Sequence, residues 1–245
     1  MKDIERLAAI LKASRRLVVF TGAGISVPSG IPDFRSADGL YNRDSGLKYR
    51  PEQIISRSFF DRDPALFYEF YRSAMIYPDA KPNKAHRFFA SLEKDGRDVA
   101  VVTQNIDGLH QAAGSSRVFE LHGAVTRNLC MRCGAKYGLD AVLTEEKVPH
   151  CPRCGGVIKP DVVLYEEPLD MDVVGGAVDA IERADTLVVV GTSLVVYPAA
   201  SYLRYFRGGN LILINKSETD YDVRADLAFH RDVVDVVREL EELGV

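Results

Sequence analysis

Short apolar runs recur along the chain at residues 17–21, 99–103, 161–164, 186–190 and 210–215. Each is nearly all Val, Ile, Leu or Phe, the pattern of strands buried on both faces. Between them, apolar residues fall at helical spacing over 2–13, 65–74, 84–94, 173–183, 199–206 and 232–243. Asp63 followed by Pro64, and Asn83 before Lys84, supply the side-chain oxygens that accept from the free N–H groups of a first helical turn. Strands alternating with helices predict an α/β fold with a Rossmann-like, doubly wound parallel sheet. Such sheets bind ligands beyond the carboxyl ends of their strands, so the residues following each run are the candidates for function.

Two stretches break the alternation. Residues 36–82 are aromatic and charged without a clear strand, which predicts a loop followed by a small helical insertion, and residues 127–159 hold all four cysteines. With no repeat and no low-complexity linker, both stretches are expected to pack together as a second, smaller lobe, part helical and part cysteine-bearing, leaving a cleft against the sheet.

Composition narrows the classes. With 245 residues, 47% of them hydrophobic, the chain can bury a core in one domain plus a small module, which excludes intrinsic disorder. Lys and Arg number 31 against 35 Asp and Glu, so no basic excess points to nucleic acid. Residues 1–14 read as an amphipathic helix rather than a signal peptide, and no stretch reaches the roughly 18 apolar residues of a membrane span. A cytoplasmic setting follows as the expectation, where thiols stay reduced and four cysteines need a reason other than disulfides.

That reason lies in their spacing. Cys130-Met131-Arg132-Cys133 and Cys151-Pro152-Arg153-Cys154 are separated by seventeen residues, as in zinc ribbons. Four thiolates fill a tetrahedron, so one Zn2+ per chain is expected to be structural, without an open position to activate water. His150 reads as an ordinary loop histidine.

After the first run comes Gly22-Ala23-Gly24-Ile25-Ser26, where missing side chains let backbone amides approach a pyrophosphate and a following helix N-terminus would add its dipole. Val27 stands where a full dinucleotide fingerprint has its third glycine. Thr103-Gln104-Asn105-Ile106-Asp107 closes the second run with amides and a carboxylate that could hold a ribose or a carboxamide, although Asp107 could equally cap a turn. Phe119-Glu120-Leu121-His122-Gly123 ends an apolar segment on a histidine suited to general-base work if it lies in the cleft. Gly191-Thr192-Ser193-Leu194 and Asn215-Lys216-Ser217 follow the later runs; the first lacks the glycine that a serine nucleophile elbow requires.

Taken in order, Gly22-Ala23-Gly24-Ile25-Ser26, Gly30-Ile31-Pro32-Asp33-Phe34-Arg35, Thr103-Gln104-Asn105-Ile106-Asp107, Leu121-His122-Gly123, the four cysteines and Gly191-Thr192-Ser193-Leu194-Val195-Val196-Tyr197-Pro198 resemble the sirtuin family over essentially the whole chain. The resemblance implies an NAD-dependent protein-lysine deacylase of minimal, bacterial or archaeal length, which gives nicotinamide and O-acyl-ADP-ribose. It implies a dinucleotide-binding domain of residues 1–36, 83–127 and 159–245, a cofactor-covering loop and helical insertion over 37–82, and a zinc-ribbon module over 128–158. NAD and an extended acyl-lysine peptide would enter from opposite sides.

Residue by residue, the resemblance assigns the cofactor phosphates to Gly22, Ala23 and Gly24, and the covering loop to Asp33, Phe34 and Arg35. Gln104 and Asn105 would hold the ribose and the attacked face, and Ile106 and Asp107 the nicotinamide carboxamide. Gly191, Thr192, Ser193, Asn215 and Lys216 would serve the phosphates and adenine ribose, with Asp232 and Val233 at the adenine. The peptide would lie along Val163, Leu164, Tyr165 and Glu166, with Val195 beside it. Catalysis falls to Asn105 and to His122, which takes a proton from the ribose after the acyl oxygen has displaced nicotinamide.

Three departures stand out. Family members commonly carry Phe-Gly-Glu where this chain has Tyr165-Glu166-Glu167, which leaves main-chain pairing intact and bears on peptide preference. Val27 replaces a residue that is polar in some relatives. Desuccinylating relatives carry a Tyr-x-x-Arg clamp, whereas Tyr68-Glu69-Phe70-Tyr71 has no arginine three places on, so short uncharged acyl groups are expected. The expected partners are acyl-lysine peptides or proteins, without direct nucleic-acid or membrane contact, and a monomer is the default state. The rivals are protein ADP-ribosyl transfer in the same pocket and a non-catalytic NAD or acyl-lysine binding module.

Overall fold

The computed structural model describes residues 2–42 and 48–245, so residues 43–47 of the expected covering segment lie outside the described residues. Among the described residues, nine strands form two sheets: β1 (Arg16–Thr21), β2 (Asp98–Thr103), β3 (Val118–Glu120), β4 (Gly123–Cys130), β5 (Lys136–Tyr137), β6 (Ile158–Val162), β7 (Thr186–Val190), β8 (Asn210–Ile214) and β9 (Leu227–Phe229). The larger sheet is parallel throughout, in the order β3-β2-β1-β7-β8-β9, and the smaller is antiparallel, β5-β4-β6. The helices are α1 (Asp3–Ala13), α2 (Pro51–Ile54), α3 (Arg57–Arg62), α4 (Pro64–Ala74), α5 (Lys84–Ser91), α6 (Leu109–Ala112), α7 (Met171–Arg183) and α8 (Val233–Glu242).

Alternation along the parallel strands builds two cores. In β1, Leu17 and Val19 pack with α1, α5 and α8, while Val18 and Phe20 face α7 and the 199–205 segment. Every residue of β7 is buried, as its unbroken Thr-Leu-Val-Val-Val sequence predicts. A third core joins α3 and α4 to the small sheet: Phe60, Phe67, Tyr68 and Tyr71 pack with Ile158 and Val162, and Phe60 meets Phe67 edge to face at 4.9 Å.

The structure corrects several sequence expectations. The run 161–164 was expected in the parallel sheet, but its first residues belong to β6, which pairs antiparallel with β4. Lys159 and Asp161 alternate with buried Ile158, Pro160 and Val162, so β6 has one covered face, unlike a strand sandwiched between helices. Strands β3 and β9 escape the pattern because three residues make no recognisable run. The 199–206 stretch is a 3-10 helix over Ala199–Tyr205, and α5 ends at Ser91, passing into a 3-10 turn that Gly96 closes at φ 72°. No α-helix follows the Gly22–Ser26 loop. Two 3-10 turns, Ala23–Ile25 and Val27–Ser29, take its place, with Pro28 inside the second and Gly30 left-handed at φ 86°.

Asp185, at the entry to β7, pins the α1–β1 connection by accepting from Ser14 Oγ at 2.6 Å and from the amides of Arg15 and Arg16 at 3.0 and 2.9 Å. Burial pushes its carboxyl up, but these hydrogen bonds outweigh burial and hold it below the usual aspartate range. A carboxylate depressed on folding stabilises the native state above its unfolded pKa of about 3.9, and that contribution fades as pH falls through the folded value. Asp185→Ala is therefore expected to cost about 1–3 kcal/mol in urea unfolding at pH 7, with the deficit shrinking in acid.

Candidate active site

The switch point of the parallel sheet lies between β1 and β7, where a doubly wound sheet opens a crevice at its carboxyl edge. The loops leaving these strands are pressed together. A Cβ on Gly24 would lie 2.6 Å from Gly191 Cα, and one on Gly22 would lie 2.7 Å from Thr192 Cβ. Gly22 donates to Val190 O, and Gly24 to Gly191 O at 2.8 Å. These glycines are thus required first by loop packing. Without a following α-helix, the loop offers the crevice backbone amides but no helix dipole.

Above the crevice opens a cavity of about 1030 Å³. It is lined by Gly22, Ala23, Gly24, Asp33, Phe34 and Arg35 on one wall, and by Gln104, Asn105, Ile106, Asp107 and His122 on another. Gly191, Thr192 and Ser193 reach it from β7, and Asn215, Lys216, Asp232 and Val233 from beyond β8 and from the start of α8. Val163, Leu164, Tyr165 and Glu166 line it as well. Val195 is brought elsewhere: it is 54% exposed and outside the lining, which takes Val196 instead.

His122 Nδ1 lies 2.9 Å from the backbone oxygen of Gln104. A carbonyl only accepts, so the proton sits on Nδ1 and Nε2 keeps its lone pair. Burial lowers the pKa of His122, and the bond to Gln104 only partly restores it, so the neutral ring predominates at pH 7. The start of β4 runs so close to β6 that a Cβ on Gly123, at φ 72°, would meet Asp161 O at 1.8 Å. Gly123 is therefore fixed by both backbone conformation and contact.

Asn105 donates through Nδ2 to Gly22 O at 3.1 Å and to Ser26 Oγ at 3.2 Å, which leaves its amide oxygen as the acceptor offered to the cavity. Ser26 Oγ passes its own proton to Asp107 Oδ2 at 2.7 Å. Asp107 Oδ1 accepts from Leu109 N at 2.9 Å, so it does cap the turn into α6 while lining the cavity. Burial raises its carboxyl pKa, against the lowering effect of the Leu109 and Ser26 bonds. Asp33 Oδ1 accepts from the amides of Arg35 and Ser36 and so shapes the covering turn, while Arg35 lies over the Tyr41 ring at 5.4 Å.

Sequence reasoning missed the groups behind this wall. His110 contacts Thr21 Oγ1 at 3.0 Å, Thr21 donates to Thr103 Oγ1, and Thr103 accepts from Asn105 N. His86 stacks edge-on against His110 at 4.8 Å, and burial pushes their pKa values down to about 4 and about 3. The one available signal was Asn83-Lys84-Ala85-His86, whose spacing is that of a capping box, and the structure forms it.

The four cysteines gather away from the cavity, with their sulfurs all within 4.8 Å of one another. Cys130 Sγ lies 3.4 Å from Cys154 Sγ, and Cys133 Sγ 3.7 Å from Cys151 Sγ. Sulfurs of a tetrahedral site with Zn–S bonds of about 2.3 Å sit about 3.8 Å apart, so the cluster fits a four-thiolate zinc.

The Sir2 family model matches residues 22–198, which includes both glycine loops, His122 and the cysteine cluster. The chain belongs to the Sir2 family. Among its Sir2 relatives, a protein of Clostridium perfringens named NAD-dependent protein deacetylase is 55% identical over 231 residues, covering 94% of this chain and 95% of the relative. One of Clostridium tetani, of the same name, is 50% identical over the full length of both. A solved Sir2 structure with a p53 peptide and NAD+ superposes with a TM-score of 0.87 at 41% identity, and a Sir2 bound to acetylated peptide with 0.88 at 40%. Both cover all of this chain and 99% of the other.

Zinc analysis is expected to find one ion per chain, and Cys151→Ser to lose it together with stability on the order of several kcal/mol in thermal unfolding. A variant that retained a full equivalent of zinc would remove the four-thiolate assignment.

Proposed function

We propose that this protein removes acetyl groups from lysine side chains of proteins with consumption of NAD, giving nicotinamide and O-acyl-ADP-ribose. The observation that carries the reading is the His122 ring, half-buried in the cavity wall with its proton committed to Gln104 and its second nitrogen free. Bound NAD supplies an electrophilic ribose carbon with nicotinamide as its leaving group. Amides of the Gly22–Gly24 and Gly191–Ser193 loops bind the phosphates, and Asn215, Lys216, Asp232 and Val233 take the adenosine end. Asn105 and Asp107 orient the nicotinamide ribose and carboxamide, each held by Ser26. Phe34 and Arg35 cover the site and exclude water. The main chain from Val163 to Glu166 holds the peptide, and Nε2 of His122 takes the ribose proton. The four thiolates hold zinc as a brace for the small sheet, remote from this chemistry.

We also read the chain as a cytoplasmic monomer without direct nucleic-acid or membrane contacts, in keeping with its net charge of −4. No helix among the described residues is long and apolar enough to cross a membrane.

Acyl preference follows from α4. Only Ala74 of that helix lines the cavity, and Arg72 is turned to donate from Nε to Val142 O at 2.7 Å. Acetyl-lysine peptide should turn over faster than succinyl-lysine peptide, and the reverse order would overturn this assignment.

His122→Tyr should fold as the wild type does and lose at least about a hundredfold in deacetylation, within the usual range for a general base. Mass spectrometry after incubation with NAD and acetyl-lysine peptide separates the readings: free lysine peptide with acetyl-ADP-ribose supports this one, and a mass gain on protein indicates ADP-ribosyl transfer. Because burial keeps His122 neutral, the acid limb of kcat/KM is expected below the ordinary histidine value of about 6.5.

A further inference from the structure

The loop bearing His122 is closed at its base by a side chain that the chemistry above does not use. Arg127 donates from Nη1 to Glu120 Oε2 and from Nε to Asp161 Oδ2 at 2.8 Å. Glu120 ends β3 in the parallel sheet, Asp161 lies in β6, and Arg127 lies in β4. One guanidinium thus fastens both sheets, and its planar fork suits two carboxylates approached from different edges.

The geometry on either side is matched. His122 follows Glu120 by two residues, and Val163 follows Asp161 by two; Val163 N donates to His122 O at 3.0 Å. Backbone pairing between β4 and β6 lapses where Arg127 sits, because Gly123 pairs with Val162 and the next pair is Asn128 with Pro160. The side chain therefore holds the stretch that the ladder leaves open. The Glu120 side chain is only 8% exposed, so its charge needs this partner.

We propose that Arg127 is a positioning residue, which by bridging Glu120 and Asp161 sets the His122 ring at a fixed spacing from the Val163–Glu166 edge that receives the acyl-lysine chain. The inference rests on the assignment of His122 and of that edge given above.

The test compares Arg127→Met and Arg127→Lys with Arg117→Met, which removes the 2.8 Å ion pair to Asp98 where β2 and β3 of the parallel sheet begin, at the end away from Glu120. Calorimetry with acetyl-lysine peptide and no dinucleotide, and NMR of the His122 ring in the free protein, accompany steady-state kinetics. Arg127→Met is expected to weaken peptide binding about tenfold, shift the His122 ring signal, and lower deacetylation kcat about ten- to a hundredfold, with KM for NAD changed less than about twofold. Arg127→Lys, whose single ammonium reaches one carboxylate at a time, should fall between, and Arg117→Met should match the wild type. A folded Arg127→Met with wild-type peptide affinity, ring signal and kcat would overturn the proposal. If Arg127→Met fails to fold, Glu120→Gln carries the same expectations and the same overturning result. A wild type that releases no lysine would end the deacetylase reading alone, because the ring signal of the free protein still reports on Arg127.

Discussion

The constraint that most of the site depends on is the contact between the two loops at the sheet's switch point, where Gly24 and Gly191 leave no room for a Cβ. Much of the active site hangs from it. With the loops locked, Thr192 meets the Gln104 side chain at 3.2 Å, while Gln104 N donates to Thr21 O at 3.0 Å. Gln104 is thereby held by both of its neighbours, and its carbonyl sets the tautomer of His122. A steric condition between backbone atoms is thus converted, through two hydrogen bonds, into the protonation pattern of an imidazole.

Behind that arrangement the protein buries polar groups without burying charge. Thr21, Thr103, Ser26, Asn105, His86 and His110 are all at most 9% exposed. The two histidines are kept neutral by burial, so they fill the layer under Asn105 and Asp107 with directional partners and add no ion to a low-dielectric site. Asp107, the acid of the group, is satisfied on both oxygens.

What could be read from the sequence divides along physical lines. Runs buried on both faces, such as residues 186–190, are legible because their environment tolerates only one kind of side chain. The cysteines are legible because a tetrahedral ion demands their spacing, and α4 because Asp63 and Pro64 mark its start, with Asp63 Oδ1 accepting from Leu66 N. The run 161–164 misled because local apolarity does not reveal which sheet a strand joins. Ser26, Thr103 and Arg127 act through partners that folding alone brings close: Ser26 and Asp107 are 81 positions apart, and Arg127 and Asp161 are 34. Val195 and Val196 differ only in which way the chain turns after Leu194, whose φ of 57° no pattern of hydrophobicity announces.

Strand β4 has one further consequence. It begins at Gly123, directly after His122, and ends at Cys130, whose sulfur belongs to the four-cysteine cluster. Eight residues of extended chain span roughly 27 Å, and there is no joint between the two ends apart from the slipped register near Arg127. The cysteine cluster and the imidazole are therefore tethered to the two ends of one strand, and an oxidant that drew the four sulfurs out of their arrangement would loosen the anchored end of the strand on which the imidazole depends.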